Sequence, residues 1–356
     1  MDCWRLTRGP AASGTKLWLL VLAVLVLAGG IFPVACPRAE GVPRQILAFY
    51  YGWYGNPTTS GQWIHWRGVD PANEQIKAST DFPVFAAYDS HDPAILDRQA
   101  EIARGAGITG FVASWWGRGS FEDRGIPLLL AAAGKHRLAV SAYYEKIDGV
   151  ASADRAVAAV TDLGYLLSRY GKDKAWLRAG GKPVIFVYGR ALQALSPDAW
   201  QNVIAQVRHD NPDGVVLIAD SLDPKFVSVF DGASTYNITG QTQHKSPPEV
   251  RAWAHLAYPK MVAAAGAGKI SSVTVIPGYD DRETGRPAPR PVTDRWGGDT
   301  YRVLWQEAIA AAPDYILITS WNEWHEGSEL EPSVEYGTRI LDETAAFSRQ
   351  FLLGKR

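Results

Sequence analysis

The residues best suited to acid–base chemistry lie in one short segment near the C-terminus, Trp321-Asn322-Glu323-Trp324-His325-Glu326-Gly327. Breaking a glycosidic bond needs one acid to protonate the departing oxygen and a second carboxylate to assist the attack. Glu323 and Glu326 are candidates for these two roles. Three-residue spacing places both side chains on one face of a turn or helix, but on opposite faces of a strand. Gly327 eases such a turn, so we predict that both carboxylates open into one site.

Two carboxylates held close together in an aromatic site repel each other when both are ionised, which raises the pKa of one of them. The pair then holds one proton for the acid role and one charge for the base role. The other interpretation, two solvated loop charges, is disfavoured by the aromatic residues around the pair. His325 lies between the two acids, where it can orient one of them or remain at the surface.

Apolar runs typical of strands alternate with helical stretches from Ile46 onward, and these elements must position the acidic segment. The candidate strands are Ile46–Tyr51, Gly110–Ser114, Ala139–Tyr144, Val184–Val187, Val215–Ala219, Gly232–Tyr236, Ser272–Ile276 and Tyr315–Thr319. Helical stretches are expected near Pro93–Ala106, Ile126–His136, Ala151–Tyr170, Ser196–Asn211, Pro247–Ala264, Thr300–Ala311 and Thr338–Leu352. The stretch Leu222–Val229 is too short to assign.

Eight strands alternating with helices over about 316 residues predict a single (β/α)8 barrel of the α/β class. A doubly wound open sheet is the alternative, but no Gly-rich nucleotide fingerprint follows the first strand. In a barrel the loops that follow the strands carry the chemistry. We therefore expect the two longest irregular stretches, Gly52–Pro83 and Gly278–Gly298, on the catalytic face.

Aromatic and acidic side chains recur at the carboxyl ends of six predicted strands, a recurrence that is hard to assign to packing. In a barrel these ends face the active site. The candidates for contact with a substrate are Tyr51, Trp53, Tyr54, His65, Trp66, Trp115, Glu145, Tyr236, Trp321, Asn322 and His325. Glu145 can bind a sugar hydroxyl or balance a core arginine. Glu329 and Glu331 are interpreted as charges that are solvated or packed against loops.

The composition limits the classes of partner. The chain has 14 Trp and 15 Tyr, and the apolar face of a sugar ring stacks well on indole, although helix-to-sheet packing in a large barrel is the alternative. The 36 basic and 37 acidic residues show no basic stripe, so nucleic acid is not an expected partner. Both cysteines, Cys3 and Cys36, precede the predicted domain, which therefore has no disulfide, thiolate metal site or Cys nucleophile.

The N-terminal segment has the pattern of an export signal. Arg5, Arg8 and Lys16 precede the uncharged, largely apolar stretch Leu17–Ala35. Such a stretch is typical of a signal peptide, and it is also just long enough to cross a bilayer. We predict that residues 1–40 are a signal peptide or N-terminal membrane anchor and that residues 41–356 form the catalytic barrel. The barrel is then exported, and it is secreted, periplasmic or tethered to the outer side of a membrane.

Several of these motifs together resemble glycoside hydrolase family 99, the family of endo-α-1,2-mannosidases and endo-α-1,2-mannanases. The resemblance covers roughly Ile46 to Leu352. It rests on Phe49-Tyr50-Tyr51-Gly52-Trp53-Tyr54-Gly55-Asn56-Pro57, Ile64-His65-Trp66, Asp92-Pro93, Ser114-Trp115, Glu145, Phe230-Asp231-Gly232, Thr235-Tyr236, Pro277-Gly278-Tyr279 and the segment from Asn322 to Gly327. It implies a (β/α)8 barrel that cleaves internal α-mannosidic linkages with retention, using neither a metal nor a cofactor.

The resemblance also implies roles for individual residues. Glu323 matches a base that acts on the substrate's own 2-hydroxyl, which closes onto the anomeric carbon as a 1,2-anhydro sugar. Glu326 matches the acid that protonates the leaving oxygen and then helps water open this intermediate. Tyr51 and Tyr236 match positions that line the cleavage subsite, and Trp115 matches a position beside the next sugar. The usual retaining scheme differs, because there a carboxylate attacks the sugar directly.

Two other functions are consistent with the sequence. The C-terminal motif continues through Leu330-Glu331-Pro332, and this longer run is also similar to one in barrel proteins of bacterial polysaccharide-biosynthesis clusters. The chain can therefore be a related barrel enzyme that acts on, or helps to assemble, an exported polysaccharide. A non-catalytic glycan-binding barrel is the third candidate, and the presence of both carboxylates disfavours it.

Overall fold

The computed structural model describes residues 41–147 and 149–354. Within these residues, eight parallel strands form the central sheet: β1 Gln45–Tyr50, β2 Gly110–Trp115, β3 Ala139–Tyr144, β4 Lys182–Val187, β5 Val216–Asp220, β6 Gly232–Ser234, β7 Ile270–Val275 and β8 Tyr315–Ile318. A helix follows each strand: α1 Pro93–Gly105, α2 Phe121–Lys135, α3 Arg155–Arg169, α4 Pro197–Asp210, α5 Pro224–Val229, α6 Pro247–Ala264, α7 Asp299–Ala311 and α8 Arg339–Leu353.

The sheet closes into a barrel. Consecutive strands pair in parallel from β1 through β8. Strand β8 then pairs in parallel with β1, from Gln45 opposite Tyr315 to Ala48 opposite Ile318. The predicted (β/α)8 barrel is confirmed, and the doubly wound alternative is wrong because such a sheet has two unpaired edges.

Side chains along each strand alternate between the barrel interior and the surrounding helices. In β1, the ring of Phe49 lies in the interior, 4.8 Å from the ring of Tyr143 and 4.9 Å from that of Tyr236. The next residue, Tyr50, points outward and donates a hydrogen bond to Gln99 on α1 at 2.8 Å. This alternation decides which residue at each strand end can reach the catalytic face.

Capping residues explain where several helices begin. Ser196 accepts a hydrogen bond from the Ala199 N–H ahead of Pro197, so α4 starts where the sequence predicts. Helix α2 begins earlier than predicted, at Phe121, because the Ser120 side chain caps it and Pro127 is accommodated within the helix. Helix α5 forms within Leu222–Val229, the stretch that is too short to assign from the sequence.

The two long irregular stretches contain short hairpins. Val69–Asp70 pairs with Gln75–Ile76 in the first stretch, and Tyr279–Asp280 pairs with Val292–Thr293 in the second. The N-terminal segment predicted to be a signal peptide or membrane anchor lies outside the described residues. Among the residues that the structure describes, none of the helices is long and apolar enough to cross a membrane.

Candidate active site

The segment after β8 turns as its spacing predicts. Residues Trp324–Glu326 form one turn of 3-10 helix, which ends at Gly327 with a φ of 55°. A Cβ atom at Gly327 would lie 3.0 Å from the carbonyl oxygen of Asp280, so both the backbone angle and the available space require glycine. The turn brings Glu323 and Glu326 to the wall of one cavity of about 390 Å³.

Asn322 fastens this segment to the end of β1. Its side-chain oxygen accepts a hydrogen bond from the Tyr51 N–H at 2.8 Å, and its amide nitrogen donates to the Tyr51 carbonyl at 2.9 Å. The same nitrogen donates to the Tyr88 hydroxyl at 2.9 Å. Asn322 is fully buried and does not line the cavity, so it positions the segment that contains Glu323 and Glu326 instead of contacting a substrate.

Two tryptophans predicted to contact a substrate face away from the cavity. Trp115 is fully buried between the barrel and the helices, and its indole N–H donates to Asp123 on α2 at 2.7 Å. Trp321 packs in the same layer, with its ring 5.5 Å from that of Phe111. The predicted contacts are therefore corrected: the alternation of β2 directs Trp115 outward, and Trp321 reaches the same layer from the irregular segment that follows β8.

Tyr54 and Trp66 are also outside the cavity. Their rings stack on each other with centroids 3.8 Å apart, and both are buried. The Tyr54 hydroxyl donates to the Asn322 carbonyl at 3.1 Å, and the Trp66 indole N–H donates to the Tyr88 carbonyl at 2.7 Å. This pair supports the wall from behind, which corrects the prediction that both residues touch a substrate.

The remaining predicted residues line the cavity together: Tyr51, Trp53, His65, Glu145, Tyr236, Glu323, His325 and Glu326. Trp53 forms much of the aromatic wall, with its ring stacked on His65 at 3.9 Å and tilted against Tyr51 at 4.6 Å. Both long irregular stretches contribute to the cavity, as predicted for loops of the catalytic face. A wall of this kind presents flat apolar surfaces on which sugar rings stack.

Several residues that line the cavity were not predicted from the sequence to contact a substrate: Arg67, Ala78, Trp116, Tyr143, Tyr188, Arg190, Thr284 and Arg286. For Trp116 a signal existed, because it follows Ser114 by two positions and must share its face. The Trp116 indole N–H donates to the Ser114 hydroxyl at 2.8 Å, and that hydroxyl donates to Glu145 at 2.7 Å. Arg67 and Arg286 lie in loops and Arg190 lies in the short helix Gly189–Gln193, and no periodic pattern in the sequence marks any of the three as facing the cavity.

Burial raises the pKa of both catalytic candidates, and the pKa of Glu323 lies well above its ordinary value because the nearby charge of Glu326 adds to the effect. The contacts of the two groups differ. Glu326 accepts a hydrogen bond from the Tyr236 hydroxyl at 3.2 Å, and Arg286 lies 3.5 Å from its other oxygen. These partners favour the ionised form of Glu326, whereas burial and the nearby charge of Glu326 favour the protonated form of Glu323.

Glu145 is a third carboxyl group in the cavity. It is buried at the end of β3, and burial raises its pKa to about 8 despite the hydrogen bond from Ser114. Glu145 is therefore protonated near neutral pH and can donate a hydrogen bond to a sugar hydroxyl. Within the described residues, one group of side chains in the cavity has a geometry that could hold a metal ion, namely His65, Glu323 and His325.

A closed (β/α)8 barrel with two carboxyl groups in an aromatic cavity at the carboxyl ends of its strands has the architecture of a glycoside hydrolase. The family model of glycosyl hydrolase family 99 matches residues 42–344. The chain therefore belongs to this family, which confirms the resemblance seen in the sequence, and it is a glycoside hydrolase.

Relatives and a solved structure agree with this assignment. The chain is 27% identical over 345 residues to a mouse glycoprotein endo-alpha-1,2-mannosidase-like protein, with 83% of this chain and 73% of the relative covered. It is 26% identical over 325 residues to the mouse glycoprotein endo-alpha-1,2-mannosidase, covering 81% and 67%. The structure of the GH99 endo-alpha-mannosidase from Bacteroides thetaiotaomicron superposes with a TM-score of 0.72 at 25% identity, covering 86% of this chain and 97% of that one.

Proposed function

We propose that the protein is an endo-acting hydrolase that cleaves internal α-mannosidic linkages of the α-1,2 type, with retention of configuration. The observation that carries the proposal is the joint placement of Glu323 and Glu326 in one aromatic cavity. The names of the relatives, endo-alpha-1,2-mannosidases, support an internal mannoside as the substrate. The partner of the protein is then an oligosaccharide or polysaccharide.

In the proposed first step, Glu323 accepts the proton of the mannose 2-hydroxyl while that oxygen attacks the anomeric carbon. Glu326 gives its proton to the departing glycosidic oxygen, so the bond from the anomeric carbon to that oxygen breaks and a 1,2-anhydro sugar forms. In the second step, water attacks the anomeric carbon and loses a proton to Glu326. Glu323 returns its proton to the 2-oxygen, and two inversions leave the configuration retained.

These roles require substrate binding to move the proton of the pair, because the contacts of the protein alone favour the charge on Glu326. A 2-hydroxyl that donates to Glu323 stabilises the ionised form of that group. A glycosidic oxygen beside Glu326 can only accept a hydrogen bond, so it favours the protonated form there. We expect the substrate to place the proton on Glu326 in this way.

The roles of the two acids can be distinguished with substrates that differ in their leaving group. Glu326→Gln removes the proton donor, so natural linkages should slow by ~10²–10⁴-fold, whereas mannosyl fluorides, which need little acid help, should slow much less. Glu323→Gln removes the base and should slow both kinds of substrate alike. The matched control is Glu101→Gln, an exposed residue on α1 that should change neither rate.

Three outcomes would overturn these assignments. A reversed leaving-group pattern would exchange the roles of the two acids. Rescue of Glu323→Gln by azide, with a glycosyl azide of inverted configuration as the product, would make Glu323 a direct nucleophile. Rates near those of the wild type in both variants would place the active site elsewhere.

The substrate class is tested by measuring reducing sugars released from α-mannans, N-glycans and bacterial exopolysaccharides. Products of internal cleavage from an α-mannan or N-glycan support the proposal. Release only from a bacterial exopolysaccharide would favour the related barrel enzyme as the correct description.

A further inference from the structure

We propose that His65, Glu323 and His325 form a binding site for a divalent transition metal ion such as Zn²⁺, and that the bound ion inhibits the enzyme. The three residues each offer one ligand atom, and these atoms lie within 4.8 Å of one another. The inhibitory part rests on the proposed function, because the ion would occupy the oxygen with which Glu323 accepts a proton. The binding part stands on the geometry of the cluster.

The donor set suits a zinc-like ion. Two imidazole nitrogens and one carboxylate oxygen are common protein ligands of Zn²⁺, which keeps a fourth position for water or a substrate oxygen. Ligand atoms of one tetrahedral Zn²⁺ lie about 3.4 Å apart, since each is about 2.0–2.2 Å from the metal. Closing a cluster of at most 4.8 Å to this spacing needs a movement of about 1.4 Å or less, which side-chain rotation can supply.

His325 provides a second observation that points to a ligand. The residue is only 7% exposed and lines the cavity, and its Nε2 atom has no hydrogen-bond partner among the described residues. A buried polar atom without a partner costs free energy, and a metal ion would satisfy it. The ring of His65 lies 4.8 Å from the ring of His325 and is held by stacking on Trp53 at 3.9 Å.

The charged groups around the three ligands have opposing effects on the binding of a metal ion. A metal ion binds the neutral form of an imidazole and the ionised form of a carboxyl group, so binding at this site displaces any proton that Glu323 holds. Arg67 and Arg286 line the same cavity, and their positive charges oppose a cation. The negative charges of the carboxylates in the cavity attract a cation. We expect an ion that a chelator removes readily, because the three ligands do not enclose it.

The binding test uses the full chain without an added histidine tag, titrated with Zn²⁺ by calorimetry and with Co²⁺ by visible absorption and NMR. We expect one ion per chain at this site and imidazole proton signals shifted by Co²⁺. His65→Ala, and separately His325→Gln, should weaken the affinity at least tenfold. His209→Ala is the matched control, because His209 is exposed on α4 and should leave the affinity unchanged.

The inhibition test measures hydrolysis with Zn²⁺, Mg²⁺ and EDTA. We expect inhibition by Zn²⁺ that competes with the substrate and is reversed by EDTA, and no inhibition by Mg²⁺ at the same concentration. Binding that is unchanged in both histidine variants, or Co²⁺ spectra without shifted imidazole signals, would overturn the site. Binding at the site without inhibition of an active enzyme would overturn the inhibitory role. The calorimetric result does not depend on catalysis, so failure of the proposed function remains distinguishable.

Discussion

Glu145 shows how burial can convert an acidic side chain into a hydrogen-bond donor. It lies in the cavity, and its pKa of about 8 keeps it protonated at neutral pH. A glutamine at this position also donates a hydrogen bond but does not titrate. Comparing Glu145 with glutamine therefore separates the effect of the titrating proton from the effect of the shape of the side chain.

We predict that Glu145→Gln loses less activity at pH 7 than Glu145→Leu, which cannot donate. As the pH rises through 8, the wild type loses its donor and Glu145→Gln does not. The ratio of kcat/KM of Glu145→Gln to that of the wild type should then rise by up to about tenfold per pH unit above pH 8. Other titrating groups are common to both proteins and cancel in this ratio, so a ratio constant from pH 6 to 9 would contradict the prediction.

At the scale of elements, the turn after β8 brings Glu323 and Glu326, which are three residues apart in the sequence, to the wall of the same cavity. The turn is held by Asn322 at its start and by Gly327 at its end. Arg295 also supports it, by donating hydrogen bonds to the carbonyl groups of Gly327 and Glu329 at 3.1 Å each. Because Arg295 lies in another loop and Asn322 is bonded to Tyr51 after β1, the position of Glu326 depends on residues outside the turn.

We predict that Gly327→Ala lowers kcat by roughly 10²-fold, because the turn must shift away from Asp280 and misplaces Glu326. The left-handed backbone angle alone costs a non-glycine residue about 1–2 kcal/mol. Gly266→Ala isolates that cost, because Gly266 has a φ of +85° and open space around it, away from the cavity. Equal kcat values in the two variants would show that the contact with Asp280 is unimportant.

At the scale of the whole molecule, a buried hydrogen-bond network joins a helix, a loop and the segment that follows β8. Glu331 accepts hydrogen bonds from Gln99 at 2.6 Å, from Tyr88 at 2.8 Å and from Trp324 at 3.1 Å. This residue and Glu329 are buried and contact the loop residues Tyr88 and Arg295, so of the two interpretations, solvated or packed against loops, the second is correct. Burial raises the pKa of Glu331 to about 7.

The raised pKa links stability to pH. Between about pH 4.5 and 7 the folded protein holds a proton on Glu331 that the unfolded chain releases, so the free energy of unfolding falls as the pH rises. For a shift of this size the fall is about 3 kcal/mol. We predict that urea denaturation of Glu331→Gln shows a flatter pH dependence in this window than the wild type. Glu101→Gln serves as the control, and identical slopes in all three proteins would contradict the prediction.

The placement of the whole molecule in the cell is a separate proposal, motivated by the basic residues before the apolar stretch Leu17–Ala35. We predict that a protein starting at Gly41 folds and keeps full activity, because β1 begins at Gln45. Residues 1–40 fused to a reporter that works only outside the cytoplasm should yield an active reporter. A shortened protein that fails to fold, or an inactive reporter, would contradict the corresponding part of the prediction.

Local patterns in the sequence were sufficient for the architecture and for the central pair. Each of the eight predicted strands overlaps a strand of the barrel, because the alternation of strands and helices is recorded in short apolar runs. The shared face of Glu323 and Glu326 also followed from local geometry, since a three-residue spacing and a glycine describe one turn. Neither prediction required knowledge of contacts between distant parts of the chain.

Only the tertiary structure decided which neighbouring side chains face the cavity. Trp115 and Trp116 are adjacent, and the period of a strand says that they point apart without saying which one points inward. Closure of the barrel settles that choice in favour of Trp116. Arg67 and Arg286 reach the cavity from two different loops and Arg190 from the short helix Gly189–Gln193, and Glu331 is buried by distant residues. These placements depend on contacts between segments far apart in the chain, which a local pattern does not record.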